Sequence, residues 1–99
     1  MKPLYYREID EHTTEAADTR GDRWRLRSTT DTHTVSTIFL ATDHGWEGPP
    51  VLWGTMVFPR GSWTEIECVR YTSRAEAREG HATMAAKYAP GAETVEDAV

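Results

Sequence analysis

The stretch Thr37-Ile38-Phe39-Leu40-Ala41-Thr42-Asp43-His44-Gly45-Trp46-Glu47-Gly48-Pro49-Pro50-Val51-Leu52-Trp53-Gly54-Thr55-Met56-Val57-Phe58 is the most patterned part of an otherwise polar chain. Two apolar segments flank a rigid turn that carries an acid and an imidazole. The β-branched and aromatic residues on either side suit a pleated, half-buried surface. Asp, Gly and Pro each bend a chain for their own conformational reason. The stretch therefore reads as two neighbouring strands, with Asp43, His44, Trp46 and Glu47 at one end of a sheet.

Working outward, His33 to Thr42 carries Val35 and Phe39 on one face and Ile38 and Leu40 on the other, which places it centrally. From Arg23 to Ser28, Trp24 and Leu26 alternate with Arg23, Arg25 and Arg27, the period of a half-buried strand. Gly21 and Pro59-Arg60-Gly61-Ser62 read as turns. Trp63 to Tyr71 alternates too, with Ile66 and Cys68 against Trp63, Glu65, Glu67, Val69 and Tyr71. On that pattern Cys68 is buried and inert, while Glu65 and Glu67 lie on a solvated face.

Ser73-Arg74-Ala75-Glu76 matches a capping box, the serine accepting from the amide of Glu76 and the glutamate reaching back to that of Ser73. Ala77, His81, Met84, Ala85 and Tyr88 then recur at helical spacing until Pro90-Gly91. At the other end, residues 3–7 suit a short edge strand, and residues 9–18 read as a short acidic helix. The expected fold is α+β: a three- to four-stranded antiparallel meander with a C-terminal α-helix packed on one face and a short N-terminal helix. Residues 1–90 would form a single domain and residues 91–99 an acidic, disordered tail.

Val35-Ser36-Thr37-Ile38-Phe39-Leu40, Asp43-His44, Gly48-Pro49-Pro50 and Thr55-Met56-Val57-Phe58 stand in a recognisable order, followed by Arg70-Tyr71-Thr72, Glu76-Ala77 and Gly80-His81. The pattern resembles an uncharacterised family of small proteins from actinobacteria and their phages. The resemblance covers roughly residues 33–84. Ala41 stands where that family tends to have Gly, and Trp53-Gly54 where it tends to have Phe-Glu. The resemblance implies a phage or actinobacterial setting and no mechanism.

Ninety-nine residues suffice for one domain. The single cysteine forms no internal disulfide, which fits a reducing compartment. No segment approaches the roughly 18–20 apolar residues that span a bilayer, and the first residues lack a signal-peptide core, so a cytoplasmic protein is expected. A net charge of -5 argues against nonspecific nucleic-acid binding by the whole surface. That charge is uneven: arginines crowd positions 20–27, and acids gather at 8–18, at Glu65 and Glu67, and at 93–97.

The candidate binding residues are Asp43, His44, Trp46, Glu47, His81, Arg25 and Arg27. Histidine beside a carboxylate suits a general base, while the same Asp-Gly-Pro context suits a plain turn. His81, alone on the helix face, reads as a core residue unless it converges with His44. The four histidines show no H-x-x-x-H or H-E-x-x-H spacing, so no metal and no cofactor are expected. No G-x-S-x-G elbow or phosphate loop is present either. Arg23, Arg25 and Arg27 on one strand face suit either bidentate phosphate contacts or pairing with Glu65 or Glu67 across the sheet. Trp46 on a Gly/Pro turn suits a contact surface.

The expectation is a phage-type accessory protein, non-enzymatic, binding a host or phage protein or a second copy of itself as a homodimer. The alternative is a binder or hydrolase of a small nucleotide or nucleic acid, for example acting against host defence signalling, through Arg25, Arg27, Trp46 and His44. DNA mimicry is weaker, because the acids form no continuous run.

Overall fold

The computed structural model describes Pro3 and residues 5–20, 23–45 and 47–98. Its elements in chain order are β1 (Tyr5–Glu8), β2 (Thr14–Ala17), β3 (Trp24–Thr29), β4 (His33–Phe39), β5 (Trp53–Pro59), β6 (Glu67–Tyr71), α1 (Arg74–Tyr88) and β7 (Thr94–Ala98). Strands β3 to β7 form one antiparallel sheet in the order β6-β5-β4-β3-β7, and β1 and β2 form a separate hairpin. Strand β4 pairs with β5 over seven positions, from His33 opposite Pro59 to Phe39 opposite Trp53. Helix α1 starts beside one sheet edge, crosses a face and delivers the chain to the other edge.

The fold is mostly β, which overturns the expected three- to four-stranded α+β meander with a short N-terminal helix. Two segments account for the difference. In residues 9–18, Asp10 accepts hydrogen bonds from the amides of His12 and Thr13, at 2.7 and 2.9 Å. Such a local bond competes with helix formation, and the segment offers no apolar stripe to hold a helix down. The chain instead reverses, so β2 runs back along β1. The amide of Tyr6 donates to the Ala41 carbonyl, and Tyr5 and Tyr6 pack against the core.

The second segment is the expected tail, which forms edge strand β7 against β3. Its polar side chains meet partners far away in sequence. Thr94 bonds to Ser28, Glu96 pairs with Arg78 on α1, and Asp97 pairs with Arg25.

Alternation along each strand sorts the sheet into two faces. Trp24, Phe39, Trp53 and Tyr71 form one cross-strand row beneath α1. Leu26, Thr37, Thr55 and Val69 form the next, then Ser28, Val35, Val57 and Glu67. The core divides into an aromatic cluster around Trp24, Phe39, Leu52 and Trp53 and a smaller one of Val35, Val57 and Ala89. Phe39 and Trp53 meet as tilted rings 5.1 Å apart.

The α1 start behaves largely as its residues dictate. Ser73 Oγ accepts from the amide of Glu76 at 3.2 Å. The returning Glu76 carboxylate accepts from the amide and hydroxyl of Thr72, one residue before the expected amide. These bonds, led by the Thr72 hydroxyl, hold the Glu76 carboxyl below its ordinary pKa. Gly80 has a packing reason: a Cβ there would lie 2.0 Å from the Tyr71 hydroxyl and 2.2 Å from its ring. The missing side chain lets helix and β6 close on one another.

Ala41 adopts φ 65°, the left-handed region that glycine occupies without strain. Its methyl group is buried in the aromatic cluster.

Candidate functional site

Two polar arrangements occupy opposite sides of the main sheet. Under α1 a hydrogen-bonded chain crosses all five strands of the main sheet. Tyr71 donates to Thr55 at 3.0 Å, Thr55 meets Thr37 at 2.5 Å, and Thr37 meets His81 Nδ1 at 2.7 Å. His81 Nε2 lies 2.8 Å from Ser28 Oγ, which lies 2.7 Å from Thr94 Oγ1. The direction of the Tyr71 bond selects a consistent tautomer. If His81 carries its proton on Nε2, every hydroxyl proton from Tyr71 to Ser28 has an acceptor in the chain. With the proton on Nδ1, that of Thr55 has none.

Ser28 and His81 have the separation of a nucleophile and its base, but the third member is a threonine hydroxyl and not a carboxylate. His81 is 1% exposed and Ser28, Thr37 and Thr55 are equally enclosed, so no substrate reaches them. Burial holds the His81 pKa below its ordinary value, favouring the neutral ring. The chain satisfies a polar seam between two apolar clusters. It is structural.

Among the described residues no element packs on the opposite face of the sheet. Strand β3 presents Arg25 and Arg27 there, β4 presents Ser36 and Ile38, β5 presents Gly54, Met56 and Phe58, and β6 presents Cys68 and Arg70. The β5–β6 connection rises at one end as a wall. Between the wall and β3 runs an open groove of about 760 Å³, lined among others by Arg25, Arg27, Arg60, Phe58, Trp63 and Glu93. Trp63 is 91% exposed and touches Phe58 edge-on, with ring centroids 6.1 Å apart. A tryptophan so bare, beside cations and in a groove, has the form of a contact surface.

The arginines of this face differ in what they do. Arg25 is held by Asp97 at 3.0 Å, and Arg60 donates to the Thr30 carbonyl at 2.9 Å. Arg27 and Arg70 are exposed and make no ion pair among the described residues. Arg70 lies across the sheet over Gly54, where a Cβ would come within 2.4 Å of its guanidinium. Glycine at position 54 leaves room for the arginine side chain.

The covered side is neutralised, by contrast. Arg74 pairs with Glu8, Arg78 with Glu11 and Glu96, and Lys87 with Glu67. Arg74 and Arg78 also lie over the Trp24 ring, at 4.6 and 5.3 Å. The Tyr88 hydroxyl, more than Lys87, holds the Glu67 carboxyl below its ordinary pKa.

The structure disperses the residues singled out from the sequence. Asp43 ties the turn, accepting from the amides of Gly45 at 2.8 Å and Val51 at 2.9 Å. His44 is exposed, with its Nε2 3.2 Å from the Thr42 hydroxyl, and Glu47 is exposed beyond it. Trp46 lies outside the described residues. His44 and His81 belong to separate hydrogen-bond networks and do not converge. Among the described residues no group of three or more His, Cys, Asp or Glu is placed to hold a metal ion.

Arg25 and Arg27 do share a face, but not with Glu65 or Glu67 as partners. The cation at Arg25 is met from β7, and Glu67 points to the helix side. Cys68, expected to be buried, is exposed on the open face.

Sequence reasoning missed Trp63, Arg60 and Arg70. A signal for Trp63 was present: a tryptophan directly after a Gly-Ser turn, in phase with glutamates. Among the described residues no helix is long and apolar enough to cross a membrane. No family model, no curated protein and no solved structure matches the chain.

Proposed function

We propose that the chain is a small accessory protein of phage type that works in the cytoplasm by binding, without catalysis, and holds a polyanionic partner on the open face of its sheet. One observation carries this reading: in a chain of net charge -5, the open face gathers Arg25, Arg27, Arg60 and Arg70, and Arg27 and Arg70 make no ion pair among the described residues. A face with an excess of one sign attracts the opposite sign and raises the encounter rate, and here four arginines stand with the acids Asp97 and Glu93. Self-association through the same face is opposed, because a second copy would bring the same arginines toward these. Exposed Ile66 and Val95 near the groove add apolar contact area and not charge.

Retention on immobilised heparin at low salt tests the reading. The protein is expected to bind and to elute as ionic strength rises, since exposed charges are screened over about 10 Å at 0.1 M salt. Arg27→Glu with Arg70→Glu is expected to abolish retention, while His44→Ala with Glu47→Ala leaves it unchanged. A protein that flows through, or whose retention follows the 43–50 turn instead, would end the proposal. A doubled mass in light scattering that Arg27→Glu reduces to the single-chain value would replace it with the homodimer.

A further inference from the structure

We infer that the polyanion is a single-stranded nucleic acid, laid across the open sheet face with a base stacked on Trp63 and phosphates on Arg27 and Arg70. The inference rests on the reading of that face as an anion-binding surface and adds the chemical class of the partner.

Three observations favour a single strand. The first is the pairing of charge with a bare aromatic. Surfaces that hold single strands combine a positively charged track for the backbone with aromatic side chains on which bases stack. A highly sulfated or acidic chain needs only the first. Trp63 at 91% exposure, held edge-on by Phe58 in the arginine-lined groove, supplies the second.

Shape is the next observation. Four inter-strand spacings of about 4.8 Å make the sheet roughly 19 Å wide, an open platform. Duplex readers insert a helix or a two-stranded ribbon into the major groove. The one helix among the described residues, α1, packs on the other face. A duplex also keeps its base faces stacked inside, where Trp63 has no access to them. An unpaired strand can splay its bases onto an aromatic ring.

The third observation is the layout of the cations. Arg27 and Arg70 stand on β3 and β6, separated by the two strands β4 and β5, with Ser36, Ile38 and Met56 between them. The surface between the charges is apolar or small. It accommodates sugars and bases while the guanidinium groups meet phosphates on either side. An acidic peptide would leave that floor and Trp63 without use.

The test uses the full chain and a fluorescently labelled single strand of about 12 nucleotides, within the roughly 4–16 nucleotides that such surfaces cover. Oligo-dT and oligo-U form two arms, and a duplex of equal length, inorganic polyphosphate and poly-glutamate form three competitors. The expected result is binding of a single strand with quenching of tryptophan emission that Trp63→Phe reduces. Trp63→Ala is expected to weaken oligonucleotide binding by about tenfold or more, the size of one lost stacking contact, and to leave polyphosphate binding unchanged. Arg27→Glu is expected to weaken both and to lower the salt dependence by at least about one phosphate equivalent. Circular dichroism confirms that each variant is folded, and both positions are exposed.

If polyphosphate competes as well as the oligonucleotide and Trp63→Ala changes neither, the nucleic-acid inference falls and the anion-binding face stands. Preference for the duplex, or for poly-glutamate, overturns the inference in favour of that partner. If no anion binds, both readings fall together.

Discussion

The two faces of the five-stranded sheet are built from the same strands and have opposite economies of polar groups. Beneath α1, His81, Ser28, Thr37 and Thr55 are buried and each has a partner. On the other side Arg27, Arg70 and Trp63 are exposed, and the two cations make no ion pair among the described residues. A buried donor or acceptor without a partner costs about 1–3 kcal/mol, which the His81 chain avoids, while the Trp53 indole N–H on the same face has no partner among the described residues. An exposed arginine is solvated at no such cost. Arg27, Arg70 and Trp63 are therefore poor candidates for stability.

Two tryptophans expose that contrast most sharply. Trp53, fully buried beneath the helix, is expected to cost about 3–5 kcal/mol of unfolding free energy when replaced by alanine. Trp63→Ala is expected to cost less than about 1 kcal/mol, the order of one edge-on aromatic contact. Urea titrations of both variants measure this. Equal losses would break the distinction between the faces.

Gly80→Ala comes next. It adds a methyl where the Tyr71 ring already lies, and that ring is fixed through its hydroxyl to Thr55. Overpacking of this kind costs about 1–3 kcal/mol, less up to about 1 kcal/mol gained in helix propensity. Tyr71→Phe in the same background would not restore the loss, because the ring itself clashes.

The titration of His81 gives a smaller, graded effect. Its folded pKa lies below the ordinary 6.5, so as pH falls the unfolded chain takes up this proton first. The His81 contribution is complete above the ordinary histidine value and is lost as pH drops from there toward the folded pKa. The slope in that window approaches about 1.4 kcal/mol per pH unit. Comparing the stability of the wild type and His81→Gln across that range isolates it. An unchanged slope would mean that the imidazole is not held neutral.

Ala41→Gly should matter least. Release of the left-handed strain, about 1–2 kcal/mol, is set against a buried methyl near 0.8 kcal/mol and the backbone freedom of glycine near 0.5–1 kcal/mol. A change within about 1 kcal/mol in either direction is expected from the same titrations.

The alternation of Trp24 and Leu26 with Arg25 and Arg27 was legible because a half-buried strand has no other way to satisfy both sides. The Ser73 cap was legible because its partners lie within three residues. Alternation, however, names two sets of residues without saying which one is covered. Glu67, Val69 and Tyr71 turned out to be the helix-facing set of β6, and Cys68 the open one. The β7 strand was hidden for a different reason: its acids look like a solvated tail until Arg25 and Arg78 are brought to them from 72 and 18 positions away. For residues 9–18, alanine and glutamate favoured a helix, and the two amides held by Asp10 decided otherwise. In the 43–50 turn Asp43 accepts from two backbone amides, and Trp63, read as a strand residue, stands exposed in the β5–β6 connection.

Strand β7 also has a consequence for biosynthesis. Asp97 follows Arg25 by 72 positions, so at about 5–20 residues per second the nascent chain waits roughly 4–14 s between making β3 and making its outer neighbour. Throughout that interval the outer rim of β3 offers unpaired amides and carbonyls to any passing polypeptide. A chain ending before residue 94 would leave the rim of β3 as a second open edge beside that of β6.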